Sequence, residues 1–276
     1  MELKSSAKLN IGLHVHNLRS DGFHNISTLF QEINLFDSIK IDEAETFSCK
    51  TSCGNISEAD NFGTKAFKIV KKQNPSIPNV SILINKNIPT NAGLGGGSSN
   101  GTAVLKGLNS FFDLSIDNGN LTSMAQEISS DSTFFIDGGM QFGTQRGEKL
   151  ESVENIEIPK HILLVHPNIK ISTKTAFEQL KNHLLNENMD INLSELLREL
   201  KNNNFNSKLF KNDFEMYVFK THPEIGKIKY NLMDLGAIYA SLSGTGSTVF
   251  GIFSSFEEAQ HAQSNIAPYQ STIINP

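Results

Sequence analysis

The chain has 276 residues, more than one hydrophobic core usually serves and enough for two compact domains. Its 24 Lys and Arg against 29 Asp and Glu leave a formal charge of -5, which excludes a general positive field for nucleic acid or an anionic membrane, so any phosphate must be bound locally. The longest apolar runs, such as Ile162 to Val165, fall far short of the about 20 residues of a membrane span, and neither a signal core nor an Arg-rich presequence precedes the first strand-like segment; the expectation is a soluble, cytoplasmic protein.

In chain order, Leu9, Ile11, Leu13 and Val15 alternate strictly, which predicts a half-buried strand over Leu3 to Val15 with Lys8, Asn10, His14 and His16 on its other face. His14 and His16 have no third ligand nearby and read as structural, which leaves the ligands of any metal open. Cys49 and Cys53 are the only cysteines; their spacing suits neither zinc nor a disulfide framework, so both read as reduced thiols. Val80, Ile82 and Ile84 predict a second strand running into a glycine-rich turn, after which Val104, Leu105, Leu108, Phe111 and Phe112 recur at helical spacing. Leu121, Met124, Ala125 and Ile128 predict another helix before Ser129-Ser130-Asp131, and Asp137-Gly138-Gly139 reads as a turn.

Around Pro159 a buried-strand run, Ile162 to Val165, opens a second domain, giving expected domains of 1–158 and 159–276. Thr221 to Glu224 has the form of a capping box, with Ile225, Ile228, Leu232 and Leu235 on the following helical face and Gly236 as its stop. Ser243-Gly244-Thr245-Gly246 is a second glycine turn, leading into a strand from Thr248 to Phe253.

The first glycine turn, Pro89 to Asn100, carries the most chemistry. Four glycines in the five positions 93–97, followed by Ser98-Ser99, exceed what a plain strand-to-helix connection needs. Such a loop lets backbone N–H groups at a helix start surround an anion, so the segment reads as a phosphate cradle. It is not a Walker A motif, because no Lys follows the glycines, nor a dinucleotide fingerprint, because Ser98 stands where the third Gly belongs. A protein kinase is disfavoured by the lack of H-R-D and D-F-G segments.

Pro89-x-x-Ala92-Gly93-Leu94-Gly95-Gly96-Gly97-Ser98-Ser99 resembles the central motif of the GHMP kinases. Ser241 to Gly246 resembles the third motif of that family, and Val165-His166-Pro167 with Ser172 to Phe177 resembles the stretch opening its C-terminal domain. Ala7-Lys8-Leu9-Asn10, Asp21-Gly22-Phe23-His24 and Thr28-Leu29-Phe30 are similar to a pattern peculiar to one branch, which phosphorylates a cytidine-diphosphate-linked methylerythritol in non-mevalonate isoprenoid synthesis. The resemblance spans nearly the whole chain. It implies an α+β, two-domain fold, with an N-terminal ribosomal-protein-S5-like α/β domain and a C-terminal ferredoxin-like one.

The resemblance also implies roles. Asp131 would orient or deprotonate the acceptor hydroxyl, and Lys8 would offset the developing phosphoryl charge with Asn10 as its hydrogen-bond partner. ATP would lie against Lys86, Pro89, Gly93, Leu94, Gly95, Gly96, Gly97, Ser98 and Ser99, bringing Mg2+ between its phosphates, with Ser99 one candidate ligand. Phe23, His24 and Phe177 would hold the cytosine, and Gly244 and Thr245 would shape the substrate side. The chain departs from the family in Ser129-Ser130 for Gly-Ala, Thr133 for Pro, and Phe23 where Tyr is common. The alternative substrates are other small alcohols such as homoserine or mevalonate, against which Phe23, His24 and Phe177 argue.

Overall fold

The computed structural model describes residues 1–54, 56–158, 161–180 and 191–274. Contacts divide the chain into two compact units, one of Met1–Ala7, Leu35–Thr90 and Gly95–Gly138, the other of Lys8–Asn34, Asn91–Leu94 and Gly139–Pro276. The units interleave in sequence because the two longest strands, β1 (Glu2–Leu18) and β2 (His24–Ala44), each contribute residues to both. Pro159, around which a second domain is expected to open, lies outside the described residues.

The first unit adds β3 (Ser48–Thr51), α1 (Phe62–Gln73), β4 (Asn79–Asn85), α2 (Gly96–Phe111), α3 (Asn118–Ile128) and the single turn α4 (Phe134–Asp137). Ser38 to Ala44 of β2 pairs antiparallel with β4, and β3 lies parallel on β4. The alternating side chains Val80, Ile82 and Ile84 put one face of β4 into a core shared with Ile39, Ile41, Phe67, Val70, Leu105 and Leu108. Asn61 starts α1 by accepting the amide of Gly63, and Asp117 starts α3 by accepting that of Asn120.

The second unit contains β5 (Met140–Thr144), β6 (Lys149–Ser152), β7 (His161–His166), α5 (Thr173–Leu180), α6 (Leu193–Lys201), α7 (Glu215–Thr221), α8 (Pro223–Asp234), β8 (Tyr239–Leu242), β9 (Val249–Phe253), α9 (Phe256–Asn265) and β10 (Gln270–Ile274). The strands β10-β7-β9-β8 form an antiparallel sheet in that order, with helices between β7 and β8 and α9 between β9 and β10. This is the β-α-β-β-α-β arrangement of a ferredoxin-like domain. Leu163 and Val165 on β7 face Ile225, Ile228 and Leu232 of α8 and Ala259 and Ala262 of α9 in one apolar cluster.

Two sequence expectations are corrected. β1 is not half-buried: Lys8, Asn10 and His14 on its polar face are as enclosed as Leu9 and Ile11, because each finds a hydrogen-bond partner inside the protein. Thr221 does not cap α8. Its hydroxyl donates back to the carbonyl of Tyr217 in α7, His222 occupies the N-cap without a side-chain bond, and Pro223 at the first position starts the helix. Gly236, at φ +97, ends α8 as expected.

Candidate active site

In the first unit, β4 delivers the chain to Lys86, and helix α2 begins at Gly96 behind Gly95, whose φ of 70 is the left-handed conformation glycine adopts at no cost. Gly96 and Gly97 are therefore helical, not part of the loop, and they carry Ser98 and Ser99 with them into the opening turns. No side chain caps this helix start. A Cβ on Gly96 would stand 2.9 Å from Ile88 Cγ2 and 3.3 Å from Lys86 Nζ, whereas one on exposed Gly97 would meet nothing nearer than the Phe62 ring at 3.6 Å.

Lys86 is enclosed, with its ammonium paired to the wholly buried carboxylate of Asp37 and donating to Asn100 Oδ1 at 3.0 Å. Pro89 is half-buried at the loop entry. Asp131 is half-buried on a 3-10 turn, Ser130–Ser132, which follows α3. That turn is tied to the start of α2. Ser129 Oγ donates to Ser98 Oγ at 2.8 Å and contacts Ser132 Oγ at 2.7 Å, and Thr102 Oγ1 donates to the Ser132 carbonyl at 2.8 Å. Thr133 Oγ1 donates to the Ser130 carbonyl at 3.0 Å, so two of the three residues around Asp131 that depart from the family pattern, Ser129 and Thr133, close its turn through their hydroxyls.

In the second unit, Lys8 is 4% exposed, not a solvated strand charge. Its Nζ donates to Asn10 Oδ1 at 2.5 Å and to the Gly93 carbonyl at 3.1 Å, with the Phe30 ring 5.5 Å away. Asn10 Nδ2 passes the chain on to Thr28 Oγ1 at 3.0 Å, and Thr28 donates to the Gly12 carbonyl at 2.6 Å. Asn10 is thus oriented from behind, which fixes its oxygen toward the ammonium. Gly93, at φ 78, is pressed against the second glycine turn: Ser243 Oγ donates to its carbonyl at 3.0 Å. The Lys8 amide donates to the buried Leu94 carbonyl at 3.0 Å. Gly244 lies in the hairpin joining β8 to β9, where a Cβ would stand 3.3 Å from both Asn10 Oδ1 and the Gly93 carbonyl. Thr245 Oγ1 meets Thr173 Oγ1 at 3.1 Å, and Asn212 Nδ2 holds the turn through the carbonyls of Leu242 and Gly244 at 2.7 and 2.8 Å.

His24 and Phe177 come together as stacked rings, with centroids 5.8 Å apart and planes 18° apart. His24 Nδ1 donates to the His16 carbonyl at 2.7 Å, which in the neutral imidazole makes Nε2 the acceptor; Nε2 is buried and has no hydrogen-bond partner. Phe23, 52% exposed, carries the Arg146 guanidinium 4.0 Å over its ring. His14 Nε2 donates to the Leu209 carbonyl at 2.9 Å, and burial lowers its pKa despite that bond. Among the described residues no group of three His, Cys, Asp or Glu could hold a metal. Cys49 and Cys53 are free thiols, and burial pushes that of Cys49 up to about 11.

Asp37, Asn212 and Arg146 carry these contacts without any mark in the sequence, while Thr28, Asn100 and Ser243 lie inside the motif segments with no role of their own. Asn100 follows the glycine motif directly and Ser243 opens the second, so position beside a motif was the available signal for those two.

Residues 61–139 match the family model of the GHMP kinases N-terminal domain, and residues 177–269 that of the GHMP kinases C-terminal domain. The chain is 34% identical over 282 residues to the 4-diphosphocytidyl-2-C-methyl-D-erythritol kinase of Chlorobium chlorochromatii, covering 100% of this chain and 96% of that one. It belongs to this family of GHMP kinases. The family member from Bacteroides fragilis is 37% identical over 263 residues, 92% of each chain. A solved 4-(cytidine 5'-diphospho)-2C-methyl-D-erythritol kinase has the same two-domain fold, with a TM-score of 0.85 at 24% identity over all of both chains. The homoserine kinase of Cytophaga hutchinsonii shares that fold at a TM-score of 0.70 and 19% identity, covering 100% of this chain and 94% of its own. The glycine loop and Asp131 fall within the N-terminal match, and Phe177, Gly244 and Thr245 within the C-terminal one, while Lys8 to His24 precede both.

Proposed function

We propose that this kinase transfers the γ-phosphoryl group of ATP to the 2-hydroxyl of 4-diphosphocytidyl-2-C-methyl-D-erythritol, a step in non-mevalonate isoprenoid synthesis. The observation that carries the substrate is His24: a buried, unpartnered acceptor beside a stacked aromatic ring suits the exocyclic amine of cytosine, with Phe177 and Phe23 offering faces for the base. A homoserine or mevalonate carbon chain has neither a planar face nor that amine.

In this reading Asp131 accepts a hydrogen bond from the acceptor hydroxyl and directs its lone pair at the γ-phosphorus. The closed serine-threonine turn keeps its carboxylate in place. Lys8, located by Asn10 and the Gly93 carbonyl, supplies positive charge as the phosphoryl group departs. Gly95, Gly96, Gly97, Ser98 and Ser99 present the uncapped start of α2 to the ATP phosphates, with Lys86, Pro89, Gly93 and Leu94 at the approach. Mg2+ bound with ATP would neutralise phosphate charge, and the hydroxyl of Ser99, buried in the first turn of α2, would be a hard oxygen donor to it. Gly244 and Thr245 bound the substrate side. We further assign residues 1–158 and 159–276 to the two domains, since the family models fall on either side of that boundary. ATP as donor and two free thiols suit a cytoplasmic enzyme.

The test is ADP release with purified ATP and the cytidylated methylerythritol, in parallel with mevalonate and homoserine. Release above the acceptor-free rate is expected only with the cytidylated acceptor, and CDP should inhibit competitively against it. No release with that acceptor sinks the assignment.

A further inference from the structure

The reaction assigned above makes no use of Asp37, the wholly buried carboxylate of the first unit. A buried charge is costly unless paired and hydrogen-bonded, and an apolar residue of similar volume commonly serves stability as well or better. Here every lone pair is answered. Oδ1 accepts the amides of Asn87 at 2.7 Å and Ile88 at 2.8 Å, while Oδ2 accepts the Lys86 ammonium and Asn100 Nδ2, the latter at 2.9 Å.

The four donors come from the two ends of the glycine segment. Lys86, Asn87 and Ile88 form its entry, and Asn100 lies one helical turn beyond Gly96 on α2. Asn100 binds the carboxylate and Lys86 together and also donates to Ser5 Oγ at 2.6 Å, so β1, β2, the loop entry and α2 meet at one charge. The same pair sets the floor beneath the helix start: Lys86 Nζ and Ile88 Cγ2 are the atoms that a Cβ on Gly96 would strike.

We propose that Asp37, with Asn100 as its bridge, is a positioning residue for nucleotide binding. It fixes Lys86 and the first turn of α2 so that the N–H groups and the ammonium are already in place when the phosphates arrive. The gain is preorganisation, and its loss falls on ATP affinity, not on the turnover of bound ATP or on the cytidine end. This inference rests on the reading of the glycine segment as the ATP loop.

Asp37→Asn keeps the size and one acceptor but leaves Lys86 without its counter-charge; Asn100→Ala removes the bridge and leaves the ion pair. Titrating ADP and CDP separately into each folded variant reads the two ends apart. The expected result is an ADP Kd raised about tenfold for Asp37→Asn and about threefold for Asn100→Ala, with CDP Kd and saturated kcat within about twofold of the parent. A merely structural role predicts a lower unfolding temperature with unaltered ADP affinity, or equal losses for ADP and CDP, and either overturns the proposal. Should Asp37→Asn fail to fold, Asn100→Ala decides alone, and an unchanged ADP Kd there is fatal. Parent protein that binds ADP yet shows no turnover would instead count against the assigned reaction.

Discussion

The glycine segment is one stretch of sequence built under two opposite constraints. Residues 91–94 belong to the second unit, where Gly93 is gripped by protein: its carbonyl accepts Lys8 and Ser243, and a Cβ would fall 1.9 Å from the Ser243 carbonyl oxygen. Residues 95–100 belong to the first unit, where Gly97 is exposed and a Cβ would make only ordinary contact with Phe62. The same residue type answers to the fold at Gly93. At Gly97 the fold asks for nothing, and the phosphate contact proposed above is what would call for glycine there.

Breaking the first half of that comparison should have the largest effect. Gly93→Ala must push aside backbone, not a flexible side-chain end, and does so at a φ of 78 that alanine tolerates poorly. We expect a loss above about 4 kcal/mol or failure to fold, read from thermal and denaturant unfolding. A variant melting within a few degrees of the parent would show that the contact with Ser243 yields easily.

Asp131→Asn tests the chemistry without disturbing either grip, because the turn around it is closed by Ser129, Ser132 and Thr133 hydroxyls. The amide is nearly isosteric but is a far weaker acceptor for the attacking hydroxyl's hydrogen. A fall of about 10³-fold in kcat is expected, with ADP affinity within about threefold. Turnover near the parent rate would remove Asp131 from its assigned role.

Gly93 is visible in the sequence for a physical reason, whereas Asp131 is marked there only by the family resemblance. A left-handed backbone demands glycine, and alternation marks strands β1 and β4, so local chemistry left local marks. The burial of Lys8, Asn10 and His14 left none, since their polarity looked like solvent exposure. Their partners Thr28 and Leu209 are 18 and 195 residues from Asn10 and His14. Asp37 was silent for the same reason, its amide partner Ile88 lying 51 residues away. Thr221 erred in the opposite sense. A capping-box pattern was present, but the hydroxyl found a closer carbonyl in the preceding helix.

Gly97→Ala has the smallest expected effect on the fold and sharpens the comparison most. Gly97 lies in the helix at an ordinary negative φ, so alanine removes unfolded-state freedom without strain and should raise stability by up to about 1 kcal/mol. If phosphates approach this turn as closely as the proposed ATP loop requires, the added methyl stands in their way, and ADP affinity should fall by about tenfold. The two readouts then move in opposite directions, which no general loosening of the protein can produce. An alanine variant both more stable and unimpaired in ADP binding would mean that the phosphates keep clear of Gly97, confining their contacts to Gly95, Gly96 and the serines that follow.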